Sequence, residues 1–218
     1  MNEYTALYVG NRMTIIKLFL FFLLVVLTIF WCGVTLADQV RDGDIIFHTS
    51  RSSQSIAIQK ATHSKYSHMG IIFFRDGKPY VYEAIDTVRY TPLKEWGARG
   101  EGGHYVIKRL ANVDRILTPQ AVAKLRQTAT RFQGKPYDLN FEWSDTRMYC
   151  SELVWKIYDR GLGVRLGRLQ KLRDFDLSDP VVKSKMKERY GNRIPLDETV
   201  ISPGEIFSAD SLRVAAQK

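Results

Sequence analysis

YSHMGIIFFRDGKPYVYEAI, residues 66–85, decides the fold. Two apolar runs flank Asp76-Gly77, and Asp-Gly is a strong two-residue hairpin signal because both turn positions need positive φ. Tyr66 to Phe74 is apolar on both faces, as expected of a strand buried between layers. Tyr80 to Ile85 is the return strand. With an even loop, Phe74 faces Pro79, Ile72 faces Val81, Gly70 faces Glu83 and His68 faces Ile85. His68 and Glu83 then lie on one face as diagonal neighbours, about 7–8 Å apart at Cα. An odd loop would turn Glu83 to the other face. An imidazole and a carboxylate are expensive to bury apart and reasonable to bury paired. Such a pair is either a satisfied core contact or a base with its orienting acid.

Elements extend from this hairpin in both directions. Asp42-Gly43-Asp44 turns into a strand at Ile45-Ile46-Phe47. Ser52 to Ala61 reads as a short helix with Ile56, Ile58 and Ala61 near one side. Val88-Arg89-Tyr90 and His104 to Leu110 read as strands, with a brief helix from Pro92 to Trp96 between them. The second half is mainly helical. Thr118 caps and Pro119 starts a helix to Phe132. Tyr149 to Arg160 is a second helix, and Asp179-Pro180 opens a third through Tyr190. Ser202-Pro203-Gly204-Glu205 is a capping-box pattern for a short last element. Strands first and helices after, without regular βαβ alternation, argue for α+β.

Cys150 sits in the first turn of the second helix. Leu153 or Val154 and Ile157 follow it at i+3/4 and i+7, so it lies on the inward, apolar face. That fits a buried core cysteine. The first turn also carries unpaired N–H groups and the positive end of the macrodipole, which favour thiolate. The same groups can hold an oxyanion. Glu152 lies roughly 200° around the helix from the thiol and reads as a buried salt-bridge partner. Ser151 reads as a first-turn capping residue. His63 reads as surface; His48 follows the first strand and His104 follows glycines. No His, Asp and Glu residues share a tight metal-ligand spacing, so neither metal nor cofactor is expected.

The chain has 218 residues, 45% hydrophobic and 25% charged, which suits one globular domain. Leu18 to Ala37 is an uncharged run preceded by Lys17 and followed by Asp38. It can cross a bilayer, or serve as a secretory signal with Thr35 and Ala37 before the cut. The expected domains are therefore 1–37, a signal peptide or N-terminal anchor, and 38–218, the catalytic domain. Met13 is a plausible true start, which would make residues 1–12 a misassigned extension. Either way the globular part is placed outside the cytoplasm, in the periplasm or on the outer face of the inner membrane. Cys32 lies in the leader, so the exported part keeps Cys150 alone and no internal disulfide. The net charge of +9 falls to about +8 without the leader. These charges are scattered, with no compact basic block, so no nucleic-acid partner is expected. A basic exported surface can still meet anionic envelope polymers or lipid headgroups.

Gly134-Lys135-Pro136-Tyr137 followed by Cys150-Ser151-Glu152-Leu153-Val154 resembles the G-x-P-Y … C-S-G-[LF]-V segment of NlpC-type cysteine peptidases. Glu152 stands where that pattern has glycine, and Tyr149 where it has aspartate. In those enzymes histidine follows cysteine; here His68 comes first. That order resembles the circularly permuted branch of the papain-like superfamily. The stretches GDIIFHTSRSSQSIAIQKATHSKYSHMGII, KPYVYEA, YTPLKEW, GKPYD, YCSELVWK and FDLSDPVVKSKMKERYG resemble its YiiX-type family, from Gly43 to Pro203. The resemblance implies an antiparallel sheet, a partial barrel, packed against helices. It also implies Cys150 as nucleophile, His68 as base, Glu83 as third member and Tyr137 as a hydroxyl near the substrate. For Tyr137, packing after a proline turn is the alternative. The implied activity is amide or peptide hydrolysis, on envelope peptides or lipid amides. Rival readings are a lipid acyltransferase with the same triad and a non-catalytic binding module. A broad apolar pocket would favour lipid substrates, and a narrow polar groove a cell-wall peptide.

Overall fold

The computed structural model describes residues 40–218. The leader expected at 1–37 lies outside them. No described helix is long and apolar enough to cross a membrane. The chain runs β1 (Ile45–His48), α1 (Ser53–Thr62), β2 (His68–Arg75), β3 (Lys78–Ala84), β4 (Val88–Pro92), α2 (Leu93–Ala98) and β5 (Val106–Leu110). It continues through α3 (Val113–Ile116), α4 (Pro119–Thr130), α5 (Cys150–Leu162), β6 (Gln170–Lys171), α6 (Pro180–Tyr190), β7 (Thr199–Val200), α7 (Pro203–Phe207) and β8 (Leu212–Gln217). Six strands form one antiparallel sheet in the order β4-β3-β2-β1-β5-β8. The fold is α+β, an antiparallel sheet packed against helices as expected, and the sheet is not closed into a barrel: β4 and β8 are its edges.

The hairpin has the predicted register, with Ile72 opposite Val81 and Phe74 opposite Pro79. Asp76 and Gly77 both take positive φ, 49° and 71°, as a two-residue turn of this hand requires. Alternation then sorts side chains onto two faces. Phe47, Met69, Ile71, Phe73 and Tyr82 face the layer of α4 and α5, through Leu125, Leu153 and Ile157. Ile46, Ile72, Val81 and Ile107 face Trp96 of α2 with Leu93 and Tyr105. Both faces are covered, which is why β2 is apolar from Met69 to Phe74.

Two readings are corrected. The sequence order of strands first and helices after fails at the C-terminus, where β8 returns to pair with β5. Its pattern is broken by the bulge at Ile107/Lys108: Leu212 and Ala216 are buried while Val214 is exposed. Two alanines and a broken period hide an edge strand from a pattern search. In α1 the buried residues are Ser55 and Ala57, and Ile56 is exposed. Hydrogen bonds pull Ser55 inward: its hydroxyl meets Ser67 Oγ at 2.5 Å and donates to Ser50 O at 2.5 Å.

Candidate active site

β2 begins at His68, and Glu83 lies near the end of β3, so the hairpin brings both to the same end of the sheet. His68 Nε2 is 2.6 Å from Glu83 Oε2. Glu83 is fully buried and accepts three more bonds, from Thr91 Oγ1 at 2.6 Å, Trp96 Nε1 at 2.9 Å and the Arg99 guanidinium. Burial alone would raise its pKa. The bond and charge of His68, with Thr91 and Arg99, outweigh burial and hold it at about 2. An ionised Glu83 fixes the ring: Nε2–H donates to it, leaving Nδ1 for the thiol of Cys150. Burial pushes the imidazole's pKa down, but the hydrogen bond and charge of Cys150, then of Glu83, carry it up to about 9.

Cys150 is the first residue of α5 and is buried. Several bonds clamp its helix turn. Ser151 Oγ donates to Ile201 O at 2.8 Å, and Tyr149 OH accepts from Ile201 N at 3.2 Å. Glu152 is fully buried and receives Lys156 Nζ at 2.7 Å; its other oxygen caps Tyr149 N at 3.4 Å. Burial pushes the Glu152 carboxyl up to about 7 against the pull of Lys156. Lys156, itself buried, also donates to Asp145 Oδ1 at 2.9 Å and Ser144 O at 2.6 Å. The two departures from the NlpC pattern thus work together: Tyr149 and Glu152 tie the start of α5 to its surroundings. Asp138 of the GKPYD stretch holds the preceding loop by accepting from the N–H groups of Asn140 and Glu142.

Tyr137 OH accepts from Gln54 Nε2 at 2.8 Å, and burial raises its pKa. It lines an apolar cavity that reaches Cys150, walled by Ile58 and Ala61 of α1, Val182 and Met186 of α6, and Phe175. The cavity's volume is about 90 Å³. His63 is exposed, as expected. His48 is the residue the sequence reading passed over. It is buried, pairs with His68 across β1 and β2, and packs against Trp96 with ring centroids 4.1 Å apart and planes tilted by 34°. Burial first, then the charges of His68 and Arg99, lowers its pKa to about 3, so it is neutral. Arg99 and Trp96 were likewise unread. Only the register of β1 against β2 and the position of α2 reveal all three, and neither is encoded in a short turn.

A cysteine at a helix N-terminus, preceded in sequence by a histidine and an acid on an antiparallel hairpin, is the layout of a permuted papain-like thiol enzyme. The chain belongs to the family described as permuted papain-like amidase enzyme, YaeF/YiiX, C92, which matches residues 39–214. YiiX of Escherichia coli K12, described as an uncharacterized protein, is 56% identical over 182 residues, 84% of this chain and 89% of that protein. The crystal structure of "metalloprotein yiiX" from Escherichia coli O157:H7 superposes with a TM-score of 0.79 at 56% identity. That match covers 83% of this chain and 98% of the solved one. The family supports a cysteine hydrolase of the amidase or peptidase kind.

Proposed function

We propose that this chain is an exported thiol hydrolase cleaving an amide bond whose acyl side is apolar. Cys150 thiolate attacks the carbonyl carbon. The backbone N–H of Cys150, in the first turn and outside the helix's own ladder, supplies one oxyanion donor. The imidazolium of His68 gives its Nδ1 proton to the departing nitrogen, releasing the amine and leaving a thioester. Water then attacks the thioester as His68 takes its proton; the carboxylic acid leaves and the thiolate–imidazolium pair returns. Glu83 holds the ring through Nε2–H and, after Cys150, adds to the raising of its pKa. Tyr137 places its hydroxyl at the cavity wall.

The observation that carries the choice of substrate is the wall of the Cys150 cavity. Its aliphatic and aromatic side chains suit an acyl chain or an apolar residue better than a polar envelope peptide. This favours the lipid-amide alternative over the cell-wall one. An acyltransferase would use the same first half-reaction and differ only in the acceptor. Export rests on the Leu18–Ala37 run and its small-residue end.

The solved relative is titled a metalloprotein. Among the described residues of this chain, no three His, Cys, Asp or Glu side chains are grouped to hold a metal ion. Glu83, the acid bonded to His68, already accepts from four donors. This donor set does not fit a resident metal, and no step proposed here uses one.

Alkyne-iodoacetamide labelling of wild type and Cys150→Ser, followed by product analysis on long-chain N-acyl amides and on muropeptides, tests the reading. Labelling at Cys150 with release of fatty acid and amine is expected. Cleavage of muropeptides alone, or an unlabelled Cys150 with no product, would refute it.

A further inference from the structure

A second cavity opens on His68. Its wall includes His48, Ser50, Ser67 and Arg99, and its volume is about 370 Å³. It shares Gln54, Ile58 and Tyr137 with the cavity at Cys150, so the two meet at the Gln54–Tyr137 hydrogen bond. Their chemistry differs. The wall at Cys150 is mostly hydrocarbon, with Lys185 and Arg189 among its residues, whereas the wall at His68 sets hydroxyls, imidazoles and the Arg99 guanidinium beside Ile58, Ile85 and Leu139. Arg99 spends one nitrogen on Glu83, its Nε has no partner among the described residues, and its side chain is 31% exposed. His48 is 2% exposed, and neither ring nitrogen has a partner among the described residues. The acid on this wall, Asp86, is 84% exposed and points at Arg89 from 4.0 Å, so it offsets Arg99 weakly.

The reaction assigns the two sides, an argument that rests on the hydrolase reading above. The acyl carbon must bond to sulfur, so the acyl chain lies on the Cys150 side. The nitrogen must receive its proton from His68, so the amine departs on the His68 side. We propose that the second cavity is a leaving-group subsite for a polar amine bearing an anionic group, carboxylate or phosphate, and that Arg99 is its specificity-determining residue. A charge-assisted bond from the guanidinium would orient the amine with its nitrogen at His68. The substrate class is then an apolar acyl group joined by an amide to an anionic amine.

Three probes with one dodecanoyl chain test this: N-dodecanoylglycine, N-dodecanoylphosphoethanolamine and neutral N-dodecanoylethanolamine. Wild type is expected to favour at least one anionic probe over the neutral one by roughly 10- to 100-fold in kcat/KM, the worth of one bond to a charged group. The faster anionic probe distinguishes an amino-acid leaving group from a phosphate headgroup. In Arg99→Gln the ratio of anionic to neutral rates should fall toward one, and Arg99→Lys should keep much of it. Because the ratio is taken within each variant, a general loss from loosening Glu83 cancels. Turnover with no charge preference, or a preference that survives Arg99→Gln, would overturn the subsite alone. No turnover of any probe would overturn the hydrolase reading and the subsite with it.

Discussion

Glu83→Gln is the sharpest perturbation of the acid–base pair. Each carboxylate oxygen of Glu83 accepts two bonds: Oε2 from His68 and Trp96, Oε1 from Thr91 and Arg99. A glutamine must turn its NH₂ toward one of those donor pairs, and because Trp96 and Arg99 can only donate, at least one bond is lost whichever way it lies. The folded pKa near 2, against an ordinary 4.5, corresponds to stability on the order of 3 kcal/mol. Breaking a buried pair by removing one partner costs about 3–5 kcal/mol, or roughly 6–20 °C in Tm for a domain of this size. The pH dependence has a definite sign. Glu83's pKa is depressed, so its contribution is present above about pH 4.5 and drains away as pH falls toward 2. His68's is raised, so its contribution is full below about 6.5 and lost as pH rises through about 9. In Glu83→Gln the acid-side loss should shrink and the His68 titration should move down, because burial then acts with less opposition. Without its oriented base the enzyme should lose roughly 10²–10⁴-fold in kcat/KM. Calorimetry at pH 7 and pH 4, imidazole NMR and initial rates read the three effects. A variant whose His68 still titrates near 9 and whose kcat/KM is within threefold of wild type would refute the assigned role of Glu83.

Cys150→Ser should keep the Tm within a few degrees and abolish turnover, since a serine hydroxyl here lacks thiolate nucleophilicity; hydrolysis at the wild-type rate would sink the mechanism. Ala61→Phe adds a ring to the wall of the Cys150 cavity. It should cut kcat/KM for hexadecanoyl amides far more than for hexanoyl ones, and equal losses would argue that acyl chains lie elsewhere. Truncation after Ser211 removes β8 and bares the β5 edge. The shortened protein is expected to aggregate on size exclusion, as unpaired edges do. Mass spectrometry of the envelope fraction should find a mature N-terminus near Asp38; an intact 1–37 segment would mean a retained anchor.

The sequence was most legible where a short local device fixed a long-range result. Asp76-Gly77 sets the hairpin register by itself, and that register alone predicted that His68 and Glu83 would meet. The caps at Thr118, Asp179 and Ser202 placed three helix starts, and each side chain accepts the first-turn N–H expected of it. The position of Cys150 on the inward face of α5 was equally readable. Illegible parts depend on contacts with no local signal. His48 reaches the site through pairing between β1 and β2, across a connection that contains a whole helix. Trp96 arrives on α2 and Arg99 just past its end, and no periodicity of six residues can announce how that helix packs on the sheet. β8 carries too little apolar alternation to be seen until β5 is there to pair with it.

These differences explain why the order of the site residues along the chain can change while the site does not. The His68–Glu83 pair belongs to a hairpin closed by its own two-residue turn. Cys150, the proposed nucleophile, belongs to a helix whose first turn is fixed by Tyr149, Ser151 and the Glu152–Lys156 pair. Neither device uses the other to hold its shape. Their meeting depends on α5 packing against β2, through Leu153 and Ile157 on Ile71 and Phe73. Such packing is set by apolar area and shape, and is indifferent to which partner was synthesised first. A permuted chain therefore needs to conserve only the turn, the clamp and the apolar face between them. Thr91, Trp96 and Arg99 are then free to be recruited around Glu83 from whatever element the new connectivity lays beside it.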